Sequence, residues 1–99
     1  MTRQRVIILG STGSIGRSSL EVLATLQDRF EVVGLAGGSQ WEMLAEQASA
    51  WKPAHLAMTD EAAGAALENA VAGSVTVHSG PGAMVVMLSG VDFDCVIVG

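Results

Sequence analysis

Short runs dense in valine, isoleucine, leucine and alanine recur along the chain at residues 5–9, 31–36, 54–58, 75–78 and 93–98. Each has the length and β-branched content of a buried strand. The stretches between them carry a helical period instead. Ile15, Ser19, Val22, Leu23 and Leu26 repeat at helical spacing while Arg17, Glu21 and Asp28 fall elsewhere, which predicts a helix over 14–26. A second helix is predicted over 40–51, opened by a capping box in which Ser39 and Glu42 satisfy each other's end of the first turn, and closed before Pro53. Thr59 is placed to cap a third helix over 60–70, with Asp60 and Glu61 complementing its positive end and Gly73 beyond its far end. The fourth, over 79–88 and ending at Gly90, is a weaker prediction because Gly80, Pro81 and Gly82 crowd its first turn.

Strict alternation of strand and helix implies a parallel sheet, since each parallel pairing needs a crossover, and crossovers place helices on the sheet's faces. The expected fold is a doubly wound, Rossmann-like α/β sheet with helices on both faces. No repeat, low-complexity tract or linker composition divides the 99 residues, so 1–99 reads as one domain.

Composition removes several classes of function. A formal charge of −5 and the absence of any Lys/Arg cluster argue against a nucleic-acid partner. Only Val6 to Leu9 follow the N-terminal arginines as an unbroken apolar run before Gly10, too short for a signal core or a membrane span, so a cytoplasmic protein with no membrane partner is expected. The single cysteine, Cys95, sits in an apolar run and reads as a core residue.

Residues 10–16 read GSTGSIG at the expected hand-over from first strand to first helix. In a doubly wound sheet the ligand crevice lies there, outside the carboxyl ends of the strands. Gly10 then permits a tight turn, Gly13 admits a diphosphate to the backbone, and Gly16 lets helix and strand pack closely. The amides of Gly13, Ser14 and Ile15 are expected to point at phosphate oxygens with the helix dipole behind them, and the hydroxyls of Ser11, Thr12 and Ser14 to add donors. The spacing is G-x-x-G-x-x-G rather than G-x-G-x-x-G, so the strand before it and the helix after it supply much of the specificity.

About 20 residues further on, NAD-binding folds place a carboxylate for the ribose 2′-hydroxyl. Here residues 35–40 read LAGGSQ, with no acid among them. A 2′-phosphate would meet Gly38, the Ser39 hydroxyl, Gln40 and helix N-terminal amides, which favours NADP(H) over NAD(H). No Lys or Arg lies in that stretch, which leaves Arg17 as a candidate cation from the neighbouring helix.

The stretches VIILGSTGSIG, DRFEVVGLAGG, KPAHLAMTDE and FDCVIVG, in that order, resemble the N-terminal nucleotide-binding domain of the 1-deoxy-D-xylulose 5-phosphate reductoisomerase family. The resemblance implies an NADPH-dependent, homodimeric enzyme of isoprenoid precursor synthesis that rearranges and reduces deoxyxylulose phosphate to 2-C-methyl-D-erythritol 4-phosphate with a divalent cation, Mg or Mn. Carried over, its nucleotide contacts fall on Thr12, Gly13, Ser14 and Ile15 and on Gly38, Ser39 and Gln40, joined by Gly10 and Ser11 from the glycine-rich turn. The family often has Lys-Asn where this chain has Ser39-Gln40. Gly99 is expected near the nicotinamide side of the crevice. The family's metal-ligating carboxylates, Asn-Lys-Glu-Ser segment and substrate-phosphate contacts match nothing in the chain. No catalytic or metal-binding residue is therefore assigned, and the chain alone is expected to bind NADPH without turnover and to leave the flank of its fifth strand uncovered.

Other residues have plainer readings. Asp92 and Asp94 suit a solvated strand entrance better than a metal site, lacking a third ligand nearby. His55 and His78 have no Cys, Asp or Glu at ligand spacing and read as locally satisfied histidines. Trp41 and Trp51 cover core edges, and Met84, Val85, Met87 and Leu88 read as apolar packing. Rival functions are a short-chain dehydrogenase or epimerase, though the chain has no tyrosine for a Tyr-x-x-x-Lys relay, an aspartate semialdehyde dehydrogenase, or a non-catalytic nucleotide-sensing module.

Overall fold

The computed structural model describes residues 3–71 and 73–99. Its elements alternate strictly: β1 (Gln4–Leu9), α1 (Ser14–Ala24), β2 (Phe30–Gly37), α2 (Trp41–Trp51), β3 (His55–Met58), α3 (Glu61–Ala70), β4 (Thr76–Ser79), α4 (Ala83–Gly90) and β5 (Cys95–Val98). All pairings are parallel, and the strand order is β4-β3-β2-β1-β5. This is the expected doubly wound, Rossmann-like fold.

That order dictates where the helices go. A right-handed crossover fixes which face a helix occupies once the direction of travel across the sheet is known. From β1 to β4 the chain steps steadily outward, so α1, α2 and α3 lie on one face. Their Leu20, Leu23, Leu44, Ala48, Ala63 and Leu67 pack on Val6, Ile8, Val32, Leu35, Leu56 and Met58 of the strands. The return from β4 to β5 reverses direction and puts α4 on the other face, where Ala83 and Met87 meet Ile7, Ala36 and Ala57. Between β1 and β5 lies the reversal point, where the connections leave in opposite directions, the place at which doubly wound sheets bind their ligands.

β5 is held to β1 at both ends. At the base, the Asp94 amide donates to the Arg5 carbonyl at 2.8 Å and the Arg5 amide donates to Asp94 Oδ2 at 2.8 Å. At the top, the Gly99 amide donates to the Leu9 carbonyl at 2.8 Å.

Several local expectations need correction. The buried stripe of α1 is Gly16, Leu20 and Leu23, while Ile15 and Val22 are 62% and 59% exposed. Gly16 must face the strand ends, and that turns the apolar residues one position around the helix. α2 begins at Trp41 with Gln40 as N-cap and no side-chain cap bond, so the Ser39–Glu42 box does not form; starting one residue later destroys its spacing. Asp60, rather than Thr59, caps α3, its carboxylate accepting from the Ala63 amide at 2.9 Å. Ser79 ends β4 instead of opening a helix, and Gly80, at φ +100°, makes the turn to an α4 whose Val85 is exposed. β2 carries an irregularity beside Val6 and Ile7, so its side chains do not simply alternate.

Candidate functional site

Three glycines shape the β1–α1 junction in three ways. Gly10 has φ +82°, a conformation costly for other residues, and a Cβ there would stand 2.9 Å from the Gly99 carbonyl oxygen. Gly16 packs so tightly under the turn that a Cβ would collide with the Gly10 carbonyl oxygen and lie 2.6 Å from Ser11 Cα. Gly13 differs from both. Its φ of −82° suits any residue, and a Cβ would make only ordinary contact with the Gly10 oxygen at 3.4 Å. The fold's own packing does not require a glycine at 13, which faces solvent.

The amides divide in the same way. The Gly13 N–H donates to the Gly10 carbonyl at 3.1 Å, so it is part of the turn and not, as its sequence position suggests, a free phosphate donor. Ser14 and Ile15 open α1, are exposed, and have no acceptor for their amides among the described residues. No acidic side chain lies in the first turn of α1 and its N-cap contributes no side-chain bond, whereas α3 has both Asp60 and Glu61 at its start. The positive end of α1 is thus open to an external anion.

Ser11 does not present a hydroxyl to that anion. It is fully buried, and its Oγ donates to Gln47 Oε1 at 2.8 Å while Gln47 Nε2 donates to the Ser11 carbonyl at 2.9 Å. Its amide donates to the Ala36 carbonyl. Sequence reading missed Gln47. The available signal was a polar residue beside the Leu44–Ala48 stripe of a helix packed on the sheet, a position that asks for a partner.

The second segment sits at the carboxyl end of β2, whose Ala36 is paired with Leu9 of β1. Thr12 bridges the two segments, its side chain packing against Gly37. The Gly37 and Gly38 carbonyls accept from the Thr59 and Asp60 amides at 3.1 Å, while Gly38, Ser39 and Gln40 are all exposed. A Cβ on Gly38 would come no nearer than 3.7 Å to Thr59 Oγ1. Gly10, Ser11, Thr12, Gly13, Ser14, Ile15, Gly38, Ser39 and Gln40 therefore lie at one end of the sheet, with Gly99 alongside.

Away from this end, the remaining candidates are structural. Asp94 pairs with Arg5 at 3.5 Å, and the hydrogen bond from the Arg5 amide, followed by the guanidinium, holds its carboxyl below the ordinary range. Cys95 is half-buried and packs on the larger core. Trp41 and Trp51 flank that core as expected. The two histidines are not separate: His55 Nδ1 and His78 Nε2 lie 3.3 Å apart on neighbouring strands. Their ring centroids are 5.6 Å apart with planes 9° apart, so the nitrogens fall between the rings, which meet edge to edge through one N–H···N bond. Burial first, and the neighbouring His55 second, hold His78 below the usual histidine pKa. Among the described residues no three of His, Cys, Asp and Glu lie close enough to hold a metal ion.

A glycine turn entering a helix at the reversal point of an all-parallel sheet defines the class of Rossmann-like nucleotide-binding domains. Sequence comparison narrows the class: the 1-deoxy-D-xylulose 5-phosphate reductoisomerase profile matches residues 6–99, and the chain belongs to that family. The reductoisomerase of Mycolicibacterium smegmatis is 48% identical over 96 residues, covering 96% of this chain and 23% of the relative. That of Nocardia farcinica is 54% identical over 70 residues, covering 70% and 18%. Among solved structures, the Zymomonas mobilis enzyme in complex with NADPH aligns with a TM-score of 0.75 at 31% identity, covering 80% of this chain and 21% of that one. A reductoisomerase complex with NADPH, fosmidomycin and magnesium aligns with a TM-score of 0.86 at 27% identity, covering 94% and 23%. The chain spans about a fifth of the length of the curated relatives it matches.

Proposed function

We propose that residues 1–99 form the NADPH-binding domain of an enzyme that converts 1-deoxy-D-xylulose 5-phosphate to 2-C-methyl-D-erythritol 4-phosphate. The observation that carries this reading is the pair of exposed, unclaimed amides of Ser14 and Ile15 at the start of α1, beside a Gly13 that the fold itself does not need to be glycine. Family membership, and the NADPH complexes among the related structures, support it.

The diphosphate is assigned to the Ser14 and Ile15 amides, with the Thr12 hydroxyl beside them and Gly13 giving access to the backbone. The adenosine 2′-phosphate is assigned to Gly38, Ser39 and Gln40, where neutral donors stand at the strand end that carries a carboxylate in an NAD site; the nearest acid in sequence, Glu42, lies within the first turn of α2. NADPH supplies hydride when bound. The chain's own residues bind and orient it. The described residues offer no donor set for the divalent cation, so its ligands and the substrate contacts are assigned to none of them. Sugar-phosphate substrate, homodimer and cytoplasmic location belong to the same reading of the whole protein. No helix among the described residues is long and apolar enough to cross a membrane.

Titrating NADPH and NADH separately tests the reading. NADPH is expected to bind about tenfold or more tightly, because residues 35–40 at the end of β2 carry no carboxylate to favour a free 2′-hydroxyl. Equal affinity, or tighter NADH, refutes the assignment of 38–40.

A further inference from the structure

We propose that Gln47 is a positioning residue for the cofactor, setting the height of the β1–α1 turn and its distance from the second segment; this rests on the cofactor reading above. Gln47 lies in the middle of α2, the helix whose first turn follows Gly38, Ser39 and Gln40. Its carboxamide reaches across to the other segment and takes both polar groups that Ser11 has left after its amide bonds Ala36. The orientation of the amide is forced. A backbone carbonyl can only accept, so Nε2 must face the Ser11 carbonyl and Oε1 must face the hydroxyl.

Ser11 follows Gly10, whose carbonyl both accepts from Gly13 and lies against Gly16. A shift at Ser11 therefore moves the floor on which Gly13, Ser14 and Ile15 stand. One side chain thus couples the segment assigned to the diphosphate with the helix that starts at the segment assigned to the 2′-phosphate. Leucine has the size for the site but neither polar group. Glutamate has the size and can accept from the Ser11 hydroxyl, yet at neutral pH it faces the Ser11 carbonyl with another acceptor.

The test compares ligands and variants in the protein as its gene encodes it. Gln47→Leu is expected to weaken NADPH about tenfold while changing the affinity for adenosine 2′-monophosphate, which lacks the diphosphate bridge, by less than about twofold. Gln47→Glu is expected to show a similar loss at neutral pH. Its NADP⁺ affinity relative to wild type should recover from about pH 8 to about pH 5, as the carboxyl takes a proton and can again donate to the Ser11 carbonyl. If the leucine variant does not fold, the pH profile of the glutamate variant decides. Wild-type-like NADPH binding in both variants overturns the proposal, as does a parallel loss for both ligands with no recovery in acid. A wild-type protein that binds no NADPH overturns the cofactor reading itself, and this inference with it.

Discussion

The two segments at the carboxyl end of the sheet differ in how firmly they are held. In the β1–α1 turn nearly every group is committed. Gly10 is fixed by its backbone and by Gly99, Gly16 by the Gly10 carbonyl, Ser11 by Gln47 and Ala36, and the Gly13 amide by Gly10. The Ser14 and Ile15 amides, exposed at the start of α1, have no acceptor among the described residues. In the β2–α2 segment the carbonyls of residues 37–40 accept backbone bonds, but Gly38, Ser39 and Gln40 are all exposed and the Ser39 and Gln40 side chains have no hydrogen-bond partner among the described residues. A rigid turn suits a diphosphate, which every dinucleotide carries in the same form. A lightly held segment suits the ribose end, where related nucleotides differ. Under the proposed assignment, the contrast teaches that binding strength and nucleotide choice are separable along this chain.

The largest effect is expected from Gly16→Ala. Its methyl group collides with backbone, which no rotamer change relieves, so the turn must shift. NADPH binding should be lost in a titration, and chemical denaturation should show a cost of about 1–3 kcal/mol. Retained affinity would mean that the turn is less rigid than its packing indicates.

Gly13→Ser comes next and sets stability against binding. Serine is a better N-cap than glycine, so α1 should hold or gain a few tenths of a kcal/mol in thermal unfolding. Its added atoms stand beside the amides assigned to the diphosphate, and NADPH affinity should fall about tenfold. Unchanged affinity would detach Gly13 from the cofactor.

On the second segment the effects should be smaller and selective. Ser39→Asp places a negative charge where the 2′-phosphate is assigned and should shift the NADPH/NADH affinity ratio towards NADH by several-fold, about 1 kcal/mol of repulsion in a solvated setting. Gly38→Ala, with open space around the new methyl, should change NADPH affinity by less than about twofold and stability by no more than about 1 kcal/mol.

The smallest effect separates the segments from the rest of the sheet. Neither GSTGSIG nor GGSQ contains a titratable side chain. His78, by contrast, has a lowered pKa in the folded protein, so the unfolded chain binds more protons as pH falls. The stability it contributes is present above its unfolded pKa of about 6.5 and is lost as pH drops through the folded value. Thermal midpoints should therefore decline modestly below neutral pH. His78→Gln should flatten that slope while leaving NADPH affinity at pH 7.5 unchanged.

Element order, sheet class and the glycine turn were legible because they are written in local patterns: apolar runs of strand length, helical spacing between them, and a glycine motif at one boundary. What depends on contacts distant in sequence was not. Nothing local says that Gly16 must face the sheet, and of the helical stripe Ile15, Ser19, Val22, Leu23 and Leu26 the structure buries Leu23 while leaving Ile15 and Val22 exposed. Ser11 looks like a phosphate donor until Gln47, 36 residues away, claims its hydroxyl. His55 and His78 lie 23 residues apart, and their meeting depends on β4 lying beside β3 in a particular register, Ala57 opposite His78. The missed cap at Ser39 is a different kind of error, a shift of one residue in where α2 begins.

The central claim is that the Ser14 and Ile15 amides at the β1–α1 junction receive the diphosphate of NADPH. A crystal structure of the protein with NADPH bound tests it most directly. The account predicts diphosphate oxygens within hydrogen-bonding distance of those two amides, the chain passing over Gly13, and the Ser11 hydroxyl still turned to Gln47. A diphosphate bound elsewhere on the sheet, with the start of α1 facing only water, would contradict it.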